Sequence, residues 1–124
     1  MNKIILLIED DADIRESITD LLESEGYQLF TADNGLSGLK TLSTMNPLPS
    51  LILVDMMMPQ MGGHDFCMEK SKIENYRQVP VVLMSADSDL EQKTKDAGAT
   101  GYIKKPLDIY KLIAEVDKFI QAKA

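Results

Sequence analysis

The sequence predicts an α/β domain in which a five-stranded parallel, doubly wound sheet carries helices on both faces. Three observations lead there. Strand-like and helix-like patterns alternate five times over 124 residues, and such alternation implies right-handed crossovers between parallel strands. Leu51–Val54 is apolar without interruption, as in a strand buried on both faces. Four strand-like runs also lead into polar residues of different kinds. Ile4–Ile8 runs into Glu9, Asp10 and Asp11, and Leu51–Val54 into Asp55. Val81–Met84 runs into Ser85, and Tyr102–Ile103 into Lys104, Lys105 and Pro106.

The elements follow in order. After the first strand, Ala12–Glu25 carries Ile14, Ile18, Leu21 and Leu22 at helical spacing, and Gly26 supplies a C-terminal stop. Tyr27–Ala32 reads as the second strand, broken at Asn34-Gly35. Leu36, Leu39, Leu42 and Met45 give the second helix one apolar stripe that ends before Pro47. The third strand, Leu51–Val54, leads through Pro59 and Gly62-Gly63 to a helix from about His64 to Ile73. A polar loop then runs through Gln78. Val79–Met84 is the fourth strand, Asp89–Ala97 a short polar helix and Gly101–Lys104 the fifth strand. The last helix, about Asp108–Ala122, places Leu112, Ile113, Val116, Phe119 and Ile120 on one face, which reads as core docking rather than membrane attachment. Five such units suggest a (βα)5 sheet of flavodoxin-like order 2-1-3-4-5, an order borrowed from other sheets of this size and not dictated by these residues.

Length and composition bound the rest. The chain is expected to form one domain over residues 1–124. Thirteen basic against twenty acidic residues give a net charge of −7, so direct nucleic-acid binding by this chain is not expected. No apolar run approaches the roughly 20 residues of a membrane span. The start, Met1-Asn2-Lys3, leads straight into a strand with no signal-peptide pattern behind it. The single Cys67 excludes an internal disulfide and fits a reducing compartment. The expected location is the cytoplasm.

In an open parallel sheet, ligands bind outside the carboxyl ends of the strands. That rim would gather an acidic pair, a lone aspartate, a hydroxyl and a lysine. Two carboxylates about 4 Å apart repel by roughly 4 kcal/mol at an effective dielectric near 20. Glu9, Asp10 and Asp55 therefore call for a hard cation that accepts oxygen ligands, which favours Mg²⁺. A carboxylate beside a metal can attack phosphorus and form an acyl phosphate. Lys105 and Ser85 could supply the fixed cation and the hydroxyl that the new charge needs, and the small Ala86 leaves room for phosphoryl oxygens. Each residue also has a plainer reading. Glu9-Asp10-Asp11 makes a good helix start, Ser85 a strand cap and Lys105 a surface lysine. The shared rim is what favours the chemistry.

The segments IEDDADIR, LILVDMMMPQMGG, VPVVLMSAD and AGATGYIKKPL resemble the receiver domain of two-component response regulators, in order and over essentially the whole chain. The intervals fit as well: 45 residues from Asp10 to Asp55, 30 on to Ser85 and 20 on to Lys105. The resemblance implies that Asp55 is the phosphoacceptor, with Asp10 a direct Mg²⁺ ligand and Glu9 acting through a water. It also implies that the backbone carbonyl of Met57 is a further ligand. Ser85 matches the switch hydroxyl, Tyr102 the switch aromatic and Lys105 the phosphate-pairing lysine, followed by a Lys105-Pro106 bond that is often cis in such domains. Met57 and Asp87 match positions said to tune phosphoryl lifetime. The implied partners are a histidine kinase or histidine phosphotransfer protein as donor and a downstream protein target. The implied role is a signalling switch, not an enzyme beyond its own phosphorylation and dephosphorylation. One departure stands out. Many DNA-binding regulators carry an acidic pair before the switch tyrosine, where this chain has Thr100-Gly101. This leans away from their dimer mode and toward a stand-alone or adaptor receiver.

Three rival functions weigh less. An aspartate-dependent phosphohydrolase usually has a second acid two residues after its nucleophile, where this chain has Met57. A flavodoxin-type flavin carrier needs a hydroxyl- and glycine-rich phosphate loop in place of Glu9-Asp10-Asp11. A receiver-like adaptor that is never phosphorylated would not need the complete set of residues present. Other tempting residues read blandly. His64 is expected at the surface and Cys67 in the core. Met56, Met57 and Met58 are not expected to form a soft-metal site, since thioethers suit Cu(I) and this rim is all oxygen; some of them are expected to pack around the site.

Overall fold

The computed structural model describes residues 3–121. Five strands, β1 (Ile4–Ile8), β2 (Gln28–Ala32), β3 (Leu51–Asp55), β4 (Val81–Ser85) and β5 (Gly101–Lys104), alternate with five helices. These are α1 (Ala12–Ser24), α2 (Gly35–Thr44), α3 (Gly63–Ser71), α4 (Leu90–Ala97) and α5 (Ile109–Gln121). The strands pair in parallel in the order β2-β1-β3-β4-β5, so the flavodoxin-like order holds.

The two-residue period of the strands divides the core. Ile5, Leu7, Leu51, Leu53, Val82 and Met84 pack with Ile18 and Leu22 of α1 and with Leu112, Val116 and Ile120 of α5. Leu6, Ile8, Ile52, Val54, Val81 and Leu83 face the opposite way, onto Leu42, Phe66, Leu90 and Ala97. Every residue of β3 and β4 is buried. Full burial of one Leu or Ile side chain contributes about 1.5–3 kcal/mol, so the apolar central strands hold the sheet and its rim in place.

Several element ends differ from the sequence reading, each for a physical reason. Tyr27 precedes β2 instead of starting it: its N–H donates to Leu22 O and helps close α1, while Gly26 turns the chain at φ 94°. Asn34-Gly35 is the start of α2, where Asn34 Oδ1 accepts the Ser37 N–H at 2.8 Å. Leu36 leaves the apolar stripe and is 58% exposed. Gly35 and Gly38 take the inward positions, because a Cβ on Gly38 would lie 2.4 Å from Ile8 Cδ1 and only glycine lets α2 approach β1 so closely. β4 begins at Val81, two residues later than expected. The polar loop before it holds a 3-10 turn over Glu74–Tyr76. The expected end of the last helix at Ala122 lies outside the described residues.

Candidate functional site

Strand register assembles the rim. Ile8 pairs with Val54, so Glu9 and Asp55 emerge side by side. Asp55 pairs with Met84, and Ser85 with Lys104. Glu9 N–H donates to Ala32 O at 3.0 Å, Met56 N–H to Met84 O at 2.9 Å and Lys105 N–H to Ser85 O at 2.8 Å. Each strand end is thereby tied to its neighbour one residue beyond the regular pairing.

Carboxylate oxygens of Glu9, Asp10 and Asp55 lie within 4.8 Å of one another. Lys105 Nζ stands 3.1 Å from Glu9 Oε1 and 3.3 Å from Asp55 Oδ2. Glu9 has no solvent exposure. Burial, then the hydrogen bond with Asp55, pushes its carboxyl up from the usual 4.5 to about 7, against the pull of Lys105. Burial works against the Lys105 ammonium, but its bond to Glu9 and the charges of Asp55 and Glu9 outweigh that and hold it above the usual lysine value. One cation against three acids leaves negative charge over. An all-oxygen set this compact suits a small divalent cation, so the residues fit Mg²⁺.

The loops are pinned from both sides. Asp11 caps α1 by accepting the Ile14 N–H at 3.0 Å, and Arg15 Nη1 donates to Glu9 O at 2.8 Å. Beyond β3, Asp55 Oδ1 accepts the Met57 N–H at 3.3 Å. The Met57 side chain itself points to solvent, while Met56 is buried. At the end of β4 the buried Ser85 accepts the Asp87 N–H on its Oγ at 3.1 Å, which leaves its hydroxyl proton free to donate elsewhere.

The structure thus brings Glu9, Asp10, Asp55 and Lys105 into one cluster, with Ser85 on the adjoining strand end. Tyr102 stands apart: it pairs with Leu83, two residues before the Ser85–Lys104 pair at the rim, and is partly exposed on the edge strand. The Lys105-Pro106 peptide is cis, as is Asn46-Pro47. His64 is exposed beside Asp65. Cys67 is buried, and burial pushes its thiol up to about 11. The sequence reading missed Lys93, which bridges Asp87 and Asp89. Only its four-residue spacing from Asp89 was legible as a helix-face pair.

Comparison with known proteins follows the same lines. A family model described as the response regulator receiver domain matches residues 5–117. The chain is similar to sporulation initiation phosphotransferase F of Bacillus subtilis, at 32% identity over 100% of this chain and 98% of that protein. It is also similar to the phosphate regulon transcriptional regulatory protein PhoB of Escherichia coli, at 34% identity over 94% of this chain and 51% of that regulator. Among solved structures, a receiver domain of the sensor histidine kinase PA1611 from Pseudomonas aeruginosa, with magnesium coordinated in its active site cleft, superposes with a TM-score of 0.86. It is 24% identical and is covered to 99%, against 98% of this chain.

Proposed function

The chain belongs to the response regulator receiver domain family, and from that premise we propose that Asp55 accepts a phosphoryl group with Mg²⁺ held at the acidic cluster. The carrying observation is Lys105, whose ammonium faces both Glu9 and Asp55 at the carboxyl ends of the strands. The donor is a histidine kinase or a histidine phosphotransfer protein. An Asp55 oxygen attacks phosphorus, the new P–O bond forms as the P–N bond of a phosphohistidine breaks, and the imidazole leaves with the electron pair.

Asp10, Asp55 and the Met57 carbonyl would hold the metal directly, and Glu9 through a water. When bound, Mg²⁺ would neutralise phosphoryl oxygens and carboxylates alike. Glu9 orients Lys105, which supplies a fixed cation for the phosphoryl oxygens, and Ser85 donates its hydroxyl proton to one of them. Ser85 and Tyr102 then favour a second arrangement of the surface around α4, β5 and α5, which a downstream protein reads. We place this action in the cytoplasm; among the described residues, no helix is long and apolar enough to cross a membrane. The chain spans about half the length of the transcriptional regulatory protein of Escherichia coli that it matches, and we assign no nucleic-acid contact to this chain alone.

The test is mass spectrometry after incubation with acetyl phosphate. Wild type should gain one phosphoryl group with Mg²⁺ and none with EDTA, and Asp55→Asn should gain none. Equal labelling of the two proteins would overturn the assignment.

A further inference from the structure

Lys93 sits in the first turn of α4, close to the positive end of the helix dipole, where a cation is unfavourable. Its ammonium nevertheless reaches two carboxylates, at 2.6 Å from Asp87 Oδ2 and 3.5 Å from Asp89 Oδ1. Asp89 occupies the N-cap of α4, a place where aspartate normally accepts a free helical amide, yet it makes no such bond here. Its side chain is turned to Lys93 instead. Asp87 in turn donates its backbone N–H to Ser85 Oγ. One lysine therefore ties the end of β4, the loop after it and the start of α4 into a single arrangement. The helix it restrains is the most polar of the five, anchored in the core by Leu90, Thr94 and Ala97.

We propose that Lys93 latches the segment from Ser85 to the start of α4 in its phosphate-free arrangement, and that occupation of the Asp55 site favours a second arrangement in which Asp89 leaves Lys93 and caps α4. This rests on the proposed phosphoacceptor role of Asp55. Asp89 meets the Lys93 ammonium here and leaves the first amides of α4 uncapped, so exchange of the one partner for the other defines two discrete states. A ligand shifts such an equilibrium only by its differential affinity for them, and a mutation that weakens the latch raises the population competent to bind. The two ion pairs are partly exposed, and pairs of that kind change an equilibrium by only roughly 2- to 5-fold.

The experiment measures the affinity of the Mg²⁺-loaded protein for beryllofluoride, a stand-in for the phosphoryl group, by calorimetry, with circular dichroism as the folding control. Lys93→Gln should bind roughly 2- to 5-fold more tightly than wild type, and Lys93→Arg should match wild type. Asp89→Asn, which still caps but cannot form the ion pair, should also bind more tightly. Asp89→Ala, which can do neither, should bind more weakly than Asp89→Asn. The affinity for Mg²⁺ alone should not change in any variant. Unchanged or weaker binding by Lys93→Gln overturns the latch, and equal affinities of Asp89→Asn and Asp89→Ala overturn the cap exchange. If wild type itself fails to bind beryllofluoride, the Asp55 reading falls and the latch with it, an outcome distinct from the other two.

Discussion

Lys105 Nζ lies 3.1 Å from Glu9 Oε1 although 96 residues separate them in the chain. The partner is a carboxylate with no solvent exposure, and the lysine is itself largely covered. The same ammonium reaches Asp55 Oδ2. This shared cation allows three acids to crowd at the end of the sheet in a folded protein, and it sits where a new anion on Asp55 would need a counter-charge.

Removal of the cation should therefore destabilise the protein. Breaking a buried pair costs about 3–5 kcal/mol, and the part of Lys105 that faces water reduces this to about 1–3 kcal/mol. Urea denaturation of Lys105→Met in EDTA should show that loss, and beryllofluoride affinity should fall with it. Wild-type stability in the variant would mean that the pair carries no net energy.

The Glu9 carboxyl gives the metal-free protein a pH dependence. Its folded value of about 7 lies above the usual 4.5, so its stabilising contribution is full below about pH 4.5 and is lost as the pH rises through 7. The unfolding free energy from urea denaturation in EDTA should fall between pH 5.5 and 8, by on the order of 2 kcal/mol, and the midpoint with it. The dependence should flatten in Glu9→Gln. A midpoint that rises across this window in wild type would contradict the assignment.

Mg²⁺ titration should separate the two neighbouring acids. Glu9 Oε1 is already held by Lys105, whereas Asp10 is exposed and its carboxylate has no partner among the described residues. Asp10→Ala should weaken Mg²⁺ binding more than Glu9→Ala does. The reverse order would place the direct ligand at Glu9.

Ser85→Ala should retain phosphorylation at Asp55, since nucleophile, acids and Lys105 remain. What should disappear is the spread of the signal. NMR shifts on addition of beryllofluoride should reach Tyr102 and α4 in wild type and stay near the rim in the variant. Distant shifts of equal size in both would remove Ser85 from the relay.

Gly62 tests the loop behind the acceptor. A Cβ there would lie 2.6 Å from the Met56 carbonyl oxygen, and because that atom is backbone the loop after Asp55 would have to move. Gly62→Ala should lose about 1–3 kcal/mol of stability and bind Mg²⁺ more weakly through the displaced Met57 carbonyl. Unaltered metal affinity would show that this carbonyl is not a ligand.

Local period and the residues at strand ends were legible along the chain. The uninterrupted Leu51–Val54 run and the alternating strands and helices announced a parallel sheet. Polar residues placed just past four apolar runs announced a rim of carboxylates, hydroxyl and lysine, because parallel strands all end on the same side. Tertiary structure decided what those signals do not encode. Leu36 continues a helical stripe in sequence yet faces solvent, since the first turn of α2 turns Gly35 toward Met61 and the next turns Gly38 toward Ile8 of β1, while Leu42 further along fills the core. Glu9 and Asp10 are adjacent acids in the chain, but β1 buries the first against Lys105 and leaves the second open. Lys93 carries no local signal of its pairing with Asp87, which the turn after β4 brings to 2.6 Å. Periodicity fixes which face of an element meets the core, whereas burial, charge pairing and reach depend on register and on the neighbouring element, which no local pattern contains.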